Sequence, residues 1–244
     1  MKRGIFFIKA VLFLLLLSSC QTKTSSYTFK VPADKRNQSQ ELIAFQPRPL
    51  NNYTTKELIV IDAGHGGEDA GTRSLTPPKY EEKSLNLATA FFLKEFLQKM
   101  GYVVKMTRSE DLFVPLAKRS SLANGWQPKL FVSVHYNAAE SERADGIEVY
   151  YYQSEENKQR STSSKKLADA VLAEVIQKTG AKSRGVKHGN LSVVRETLMP
   201  AILVEGGFMT NKNEMEKIKD PGYIKKLAFG IALGIDRYMK SERF

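Results

Sequence analysis

Apolar residues along the chain follow two different spacings, and each spacing predicts a different kind of element. Short unbroken apolar runs closed by glycine or polar residues are typical of buried strands, whereas apolar residues that recur every three or four positions are typical of amphipathic helices. The runs predict strands over 58–63, 102–107, 130–135 and 201–205. The helical spacing predicts helices over 81–100, 115–124, 164–179 and 221–240.

Strict alternation of apolar and polar residues over 146–152 predicts one more strand, at an edge of the sheet. The predicted strands and helices alternate from about residue 57 onward. Such alternation is typical of α/β domains, in which a mostly parallel, twisted sheet has helices on both faces. We therefore expect a single α/β domain over 57–244.

The segment before this domain has the layout of an exported lipoprotein. Residues 1–19 have a basic start, an apolar run over 11–17 and small residues before Cys20, which is typical of a bacterial signal peptide. Leu-Ser-Ser-Cys resembles a lipobox, so we expect a lipid on Cys20, although an ordinary signal peptide with an incidental cysteine is the alternative. The segment 20–56 is rich in small polar residues and lysine, and this composition predicts a flexible tether.

Composition narrows the choice of partners. The net charge is +11, and it falls to +8 when the three basic residues of 1–19 are removed. A basic exported protein suits anionic partners such as phospholipid headgroups, wall polymers and peptide carboxylates. Export, the dispersed charge and the absence of a nucleic-acid-binding motif argue against nucleic acid. The one cysteine excludes an intramolecular disulfide, and we expect a monomer facing the periplasm or cell wall.

Three predicted strands end at residues that carry chemistry: His65 within a glycine-rich turn, His135 and Glu205. Ligands of open α/β sheets bind outside the carboxyl ends of the strands, so these side chains can converge. Two histidines and a glutamate are a ligand set of catalytic zinc. A further carboxylate, Glu81 or Glu82, begins the first long helix. A histidine at a strand end is also often only a polar group whose hydrogen bonds are satisfied by its neighbours. The residues alone therefore do not decide between a metal site and a structural role.

Five segments in a fixed order resemble the zinc-dependent N-acetylmuramoyl-L-alanine amidases. The resemblance extends from about Leu58 to the C-terminus, and the segments are IVIDAGHGGEDAG, EEKSLNLA, GYVVKMTRSED, FVSVHYNAA and PAILVEGGFMTN. It implies that 57–244 is the catalytic domain of a peptidoglycan hydrolase. The bond cleaved would be the amide between N-acetylmuramic acid and L-alanine of the stem peptide.

The resemblance also implies a role for each candidate residue. His65, Glu82 and His135 would bind Zn²⁺, and Glu205 would act as the general base and then the general acid. Glu81 would replace Glu82 if the alignment shifted by one position.

Four further residues occupy positions that resemble those of the family. They would either position the substrate or support the ligands, and surface ion pairs or loop caps are the alternative; they are Arg108, Arg119, Asn124 and Asn137. His188 has no counterpart required by the family, and we expect it to be a surface residue in a loop.

Two other functions are compatible with parts of the sequence. Ser163 and Lys166 form an S-x-x-K motif, and S-x-N and K-T-G motifs also occur, as in penicillin-sensitive serine DD-carboxypeptidases. Their order along the chain differs from that pattern. A non-catalytic wall-binding lipoprotein is the second alternative.

The resemblance also raises the question of whether the active site is blocked by an inhibitory helix. Some amidases of this family carry an inhibitory helix after the second zinc-binding histidine. Here only residues 138–145 separate Asn137 from the next strand, too few for a helix of two or three turns with its connections. We therefore expect no such plug, which leaves 153–164 as the other candidate lid.

Overall fold

The computed structural model describes residues 57–242. The predicted signal peptide, Cys20 and the predicted tether lie outside the described residues. Within 57–242, no helix combines the length and the apolar character that crossing a bilayer requires.

Six strands within 57–242 form one sheet: β1 (Leu58–Ala63), β2 (Val103–Met106), β3 (Leu130–Asn137), β4 (Ile147–Tyr151), β5 (Ser183–His188) and β6 (Ala201–Phe208). Their order across the sheet is β2-β1-β3-β6-β4-β5. The first four strands in that order are mutually parallel, whereas β4 runs antiparallel to β6 and parallel to β5. The predicted single α/β domain with a mostly parallel sheet is confirmed.

In the described part of the chain, six helices cover the sheet: α1 (Glu82–Lys99), α2 (Leu116–Trp126), α3 (Lys158–Thr179), α4 (Ser192–Arg195), α5 (Lys212–Ile218) and α6 (Pro221–Ser241). Alternate residues of a strand face opposite sides of the sheet. Ile59 and Ile61 accordingly pack in the larger core, with α1, α3 and α6. Val60 packs in a smaller core with α2 and α4, so helices cover both faces, as predicted.

Two predictions about β4 and β5 are wrong. The segment 146–152 does not lie at an edge, because β5 pairs with it on the side away from β6. The loop predicted at His188 is instead the end of the edge strand β5, which forms through backbone pairing with β4 although its sequence has no apolar run. His188 is exposed as expected, but it ends this strand.

The candidate lid over 153–164 is also absent as a separate element. The helix α3 begins at Lys158, and the side chain of Asn157 caps it by accepting a hydrogen bond from the backbone of Arg160. The hydroxyl of Ser161 accepts a hydrogen bond from the backbone N–H of Ser154 at 2.8 Å. This polar stretch therefore belongs to the start of a helix.

Candidate active site

The turn after β1 presents His65 at the carboxyl edge of the sheet. His65 adopts φ 59°, in the left-handed region, so the chain turns sharply as soon as the strand ends. Gly64 precedes it, and a Cβ at that position would lie 2.1 Å from Cε1 of His135. Glycine is therefore required where the two strand ends bring His65 and His135 together.

His65, Glu82 and His135 form one cluster, in which the candidate ligand atoms all lie within 4.8 Å of one another. Oε2 of Glu82 is 3.2 Å from Nε2 of His65, and its Oε1 is 2.9 Å from Nδ1 of His135. The adjacent Glu81 points elsewhere and pairs with Arg73 at 2.9 Å. The structure therefore places Glu82, and not Glu81, with the two histidines.

The backbone and a neighbouring amide fix the carboxylate of Glu82. It accepts hydrogen bonds from the backbone of Thr72 at 2.9 Å and of Tyr136 at 3.2 Å, and from Nδ2 of Asn86 at 3.2 Å. Burial alone would raise the pKa of Glu82, but hydrogen bonds and charges from His135 and His65 hold the pKa far below its usual value. The group is thus a preoriented anion.

Asp69 orients the ring of His65 from outside the cluster. Nδ1 of His65 donates to Oδ2 of Asp69 at 2.7 Å, which leaves Nε2 facing Glu82. Burial alone would lower the pKa of His65, but hydrogen bonds and charges of Glu82 and Asp69 raise the pKa to about 9. A metal-binding histidine usually donates its other ring N–H to a carboxylate, a backbone carbonyl or water, and Asp69 is such a partner.

Arg108 and Arg119 lie beneath the turn, with exposed fractions of only 3% and 2%. Nε of Arg108 donates to the carbonyl of Ala63 at 2.9 Å, and Nη2 donates to that of Gly64 at 2.8 Å. Arg119 donates to the carbonyls of Ala63 at 2.6 Å and His65 at 2.7 Å. Both guanidinium groups therefore support the turn, the second of the two roles that the sequence left open.

Glu205 lies beside this cluster with unusual surroundings. It is opposite His135 in the parallel register of β3 and β6. Its Oε2 is shielded from solvent and has no hydrogen-bond partner among the described residues. Burial raises the pKa of Glu205 to about 7; the positive charge of His135 opposes this, and the negative charges of Glu82 and Glu148 add to it.

A second polar cluster, which the sequence did not predict, surrounds Glu148 on the far side of Glu205. Oε1 of Glu148 accepts hydrogen bonds from Nδ2 of Asn137 at 2.7 Å and the hydroxyl of Tyr150 at 2.8 Å. Oε2 accepts from Nε of Arg184 at 2.8 Å and from Nζ of Lys187. The only signal in the sequence was one acidic residue between Ile and Val in a predicted strand.

The motifs of a serine peptidase do not come together. Ser163 and Lys166 both lie in α3, where the hydroxyl of Ser163 contacts Tyr238 and Nζ of Lys166 pairs with Glu242 at 3.4 Å. The asparagine of the S-x-N motif, Asn86, is buried against Glu82. The arrangement gives no support to a serine DD-carboxypeptidase.

The connection between β3 and β4 contains turns and bends but no helix. At the start of this connection, the N–H of Ala139 donates to the hydroxyl of Thr210 at 3.1 Å. The expectation that this segment is too short for a plugging helix agrees with the fold.

Comparisons with known proteins agree with this geometry. A family model described as N-acetylmuramoyl-L-alanine amidase matches residues 59–237. The probable cell wall amidase LytH of Staphylococcus epidermidis is 35% identical over 211 residues, which are 86% of this chain and 64% of the relative. The chain thus spans less than two thirds of that relative's length.

Two solved structures are similar over most of the domain. An N-acetylmuramoyl-L-alanine amidase from Clostridium difficile is 37% identical with a TM-score of 0.71, covering 76% of this chain and 98% of that chain. The catalytic domain of the amidase CwlV from Bacillus (Paenibacillus) polymyxa is 35% identical with a TM-score of 0.70, covering 75% of this chain and 98% of that chain.

Proposed function

Because the chain belongs to the N-acetylmuramoyl-L-alanine amidase family, we propose that it hydrolyses the amide between N-acetylmuramic acid and L-alanine of the peptidoglycan stem peptide, with a bound zinc ion. The observation that carries the proposal is the unpartnered Oε2 of Glu205 beside His135. A shielded carboxyl next to a candidate metal centre suits proton transfer in hydrolysis.

The residues present fit zinc. Two imidazoles and one carboxylate are the protein ligands of several catalytic zinc sites, which keep a further position open. Gly71 keeps space for such a centre, because a Cβ there would lie 2.6 Å from both Oε2 of Glu82 and Cδ2 of His65. We therefore assign His65, Glu82 and His135 as the ligands.

When bound, zinc supplies a Lewis acid that polarises the scissile carbonyl and lowers the pKa of the attacking water. Glu205 accepts a proton from that water as the new C–O bond forms. It then donates the proton to the nitrogen of the leaving L-alanine as the C–N bond breaks. A carboxylate whose pKa is raised to about 7 by burial is a stronger base than an ordinary glutamate, and the protonated form made in the first transfer is the acid of the second. Arg108 and Arg119 keep the backbone of the His65 turn in place.

The N-terminal sequence supports a proposal for where the enzyme is located. We propose that residues 1–19 direct export, that Cys20 carries a lipid, and that 20–56 tethers a monomeric catalytic domain near the membrane. The domain would then face the wall polymer that it cleaves.

The test is mass analysis of muropeptides after incubation with the purified chain. The expected products are intact glycan strands and stem peptides with a free amino group on L-alanine. Glu205→Gln, which preserves side-chain size, is the matched inactive control. Cleavage within the peptide or the glycan would contradict the proposal.

A further inference from the structure

Two cations reach the same carboxylate because β5 contains a bulge. Residues three apart in a regular strand face opposite sides of the sheet. In β5, however, the register against β4 shifts by one residue, so that Ser183 pairs with Ile147 but Val186 pairs with Val149. Gly185, with φ 89°, lies at this shift. Arg184 and Lys187 consequently lie on the same face and bind the same oxygen of Glu148.

This cation pair lies on the catalytic face of the sheet. Glu148 and Glu205 are directly opposite in the antiparallel register of β4 and β6, and opposite residues project to the same face. Two strand spacings, roughly 10 Å, separate β6 from β5. The row across the sheet is therefore His135, Glu205, Glu148 and then the two cations.

The pair retains unused binding capacity. Glu148 is one anion held by two cations, and the neighbouring carboxylate of Asp145 is paired with Lys182 at 2.8 Å. The oxygens of Glu148 are already occupied by Asn137 and Tyr150 as well as the cations. Among the described residues, no group accepts a hydrogen bond from Nη2 of Arg184, and Nζ of Lys187 uses one acceptor. Both side chains are about one third exposed, at 31% and 38%.

The guanidinium of Arg184 is also held in one orientation. Its edge is bound to Glu148, and its plane lies over the ring of Phe208, with Cζ 4.8 Å from the ring centroid. An arginine fixed in this way is preorganised for a planar anion such as a carboxylate. A solely structural ion pair would need one cation, whereas here two cations hold Glu148 and Nη2 of Arg184 still has no acceptor among the described residues.

We propose that Arg184 and Lys187, held by Glu148, bind a carboxylate of the stem peptide and so determine substrate specificity. The inference rests on the proposed function. The carboxylate can come from the second residue of the peptide or from its C-terminus. The separation of roughly 10 Å corresponds to about three extended residues at ~3.3 Å each, which favours a carboxylate near the cleaved bond.

The experiment compares muramoyl peptides in three forms: all carboxylates free, the second residue amidated, and the C-terminus amidated. The enzymes are the wild-type chain, Arg184→Gln, Lys187→Gln and the control Lys182→Gln. Lys182→Gln removes the same charge from a neighbouring residue that is 64% exposed and pairs with Asp145 at 2.8 Å. The carbonyl of Asp145 also accepts from Nη1 of Arg184 at 3.3 Å, but among the described residues Lys182 makes no hydrogen bond to Glu148.

We expect the wild-type kcat/KM to fall roughly 10- to 100-fold when the recognised carboxylate is amidated, as for loss of a charged hydrogen bond. Arg184→Gln and Lys187→Gln should lose this preference, mainly through KM, while they cleave the amidated peptide almost as wild type does. Lys182→Gln should keep the preference. The amidated peptide that is cleaved poorly identifies which carboxylate is bound.

The inference is overturned if the wild type cleaves all three peptides equally, or if Arg184→Gln slows all of them equally and keeps any preference. Arg184→Lys, which keeps the charge, and a melting temperature for each variant separate recognition from unfolding. If the wild type cleaves none of the peptides, the proposed function fails. The cation site is then tested by calorimetric binding of the same peptides, in which carboxylate-dependent affinity supports it and equal affinity overturns it.

Discussion

Glu205 and Glu148 lie directly opposite each other on β6 and β4, yet their surroundings differ sharply. Four side chains donate hydrogen bonds to Glu148. Burial alone would raise the pKa of Glu148, but hydrogen bonds from Lys187, Arg184 and Tyr150 hold it below its usual value. Glu205 has one oxygen with no partner among the described residues. One carboxylate is therefore a permanent structural anion, and the other is free to exchange protons.

We predict that Glu205→Gln lowers turnover by at least ~100-fold, within the range of about 10²–10⁴ expected for a lost acid–base group. The amide cannot accept a proton, but it fills the same space, so zinc content should be unchanged. Steady-state kinetics and metal analysis check this. Glu95→Gln, at an exposed residue that pairs with Lys99, is the control; loss of zinc in Glu205→Gln would mean that Glu205 is a ligand.

Removing a zinc ligand should lower the zinc content itself, unlike Glu205→Gln, which should leave it unchanged. Glu82→Ala should abolish stoichiometric zinc binding, because it deletes the carboxylate between the two histidines. Asp69→Asn should weaken zinc binding by only roughly 10–100-fold, as is typical of an outer partner of a ligand. Zinc titration followed by melting temperature measures both, since a ligand of the native state raises it. Equal zinc affinity in Glu82→Ala and wild type would contradict the assignment.

The same site predicts a response to chelation. A chelator should abolish hydrolysis by the wild-type chain, and added Zn²⁺ should restore it, since water alone is a poor nucleophile at neutral pH. Muropeptide release is the measurement. Full activity in a metal-free preparation, verified by elemental analysis, would exclude a metal-dependent mechanism.

The sequence predicted the strand ends but not all of their neighbours. His65, His135 and Glu205 follow apolar runs, so the local pattern located them. The resemblance favoured Glu82 over Glu81, and the structure places Glu82 with the two histidines. Arg184 and Lys187 were missed, because β5 has no apolar run. Its register shift at Gly185 also breaks the alternation on which a strand prediction rests.

The sequence also did not predict that two charged side chains are buried. The sequence was compatible with either an exposed or a buried position for Arg108 and Arg119. Their burial depends on carbonyl groups of a turn more than 40 residues away in sequence. Local pattern carries no information about such partners, whereas the packed structure does.

The buried pair Asp62–Arg119 predicts sensitivity to acid. Nη1 of Arg119 is 2.8 Å from Oδ1 of Asp62. Burial alone would raise the pKa of Asp62, but the charge of Arg119 and hydrogen bonds from Thr107, Ser133 and Arg119 lower it from 3.8. A lowered folded-state pKa gives stability that is present above the ordinary value and is lost as pH falls through the folded value.

Asp62→Asn should therefore destabilise the domain by about 3–5 kcal/mol at neutral pH, because it leaves a buried guanidinium without its counter-ion. The difference from wild type should begin to shrink below about pH 4, where Asp62 of the unfolded wild-type chain becomes protonated, and should be lost as pH falls through the lowered pKa of the folded state. Urea unfolding from pH 2.5 to 7 measures this. Asp169→Asn, at a half-exposed residue that pairs with Lys165, should show little difference at any pH; a constant difference for Asp62→Asn would contradict the argument.

Lipid attachment is a separate prediction about Cys20. Mass spectrometry of the chain isolated from bacterial membranes should find acyl groups on Cys20, and Cys20→Ser should prevent both lipidation and removal of 1–19. One acyl chain alone anchors a protein only marginally, so we expect more than one. A Cys20 without lipid in a correctly exported chain would show that the segment is an ordinary signal peptide.

Activity without an activator is the last prediction. An inhibitory plug must reach the cluster of His65, Glu82 and His135 from a neighbouring segment. The connection over 138–146 contains only turns and bends, and the stretch before α3 is fixed by the Asn157 cap and the bond between Ser154 and Ser161. The purified chain loaded with zinc should therefore cleave peptidoglycan by itself, with Glu205→Gln as the negative control. A loaded chain that stays inert until a partner protein is added would show that a segment outside 57–242, or a rearrangement of this one, closes the site.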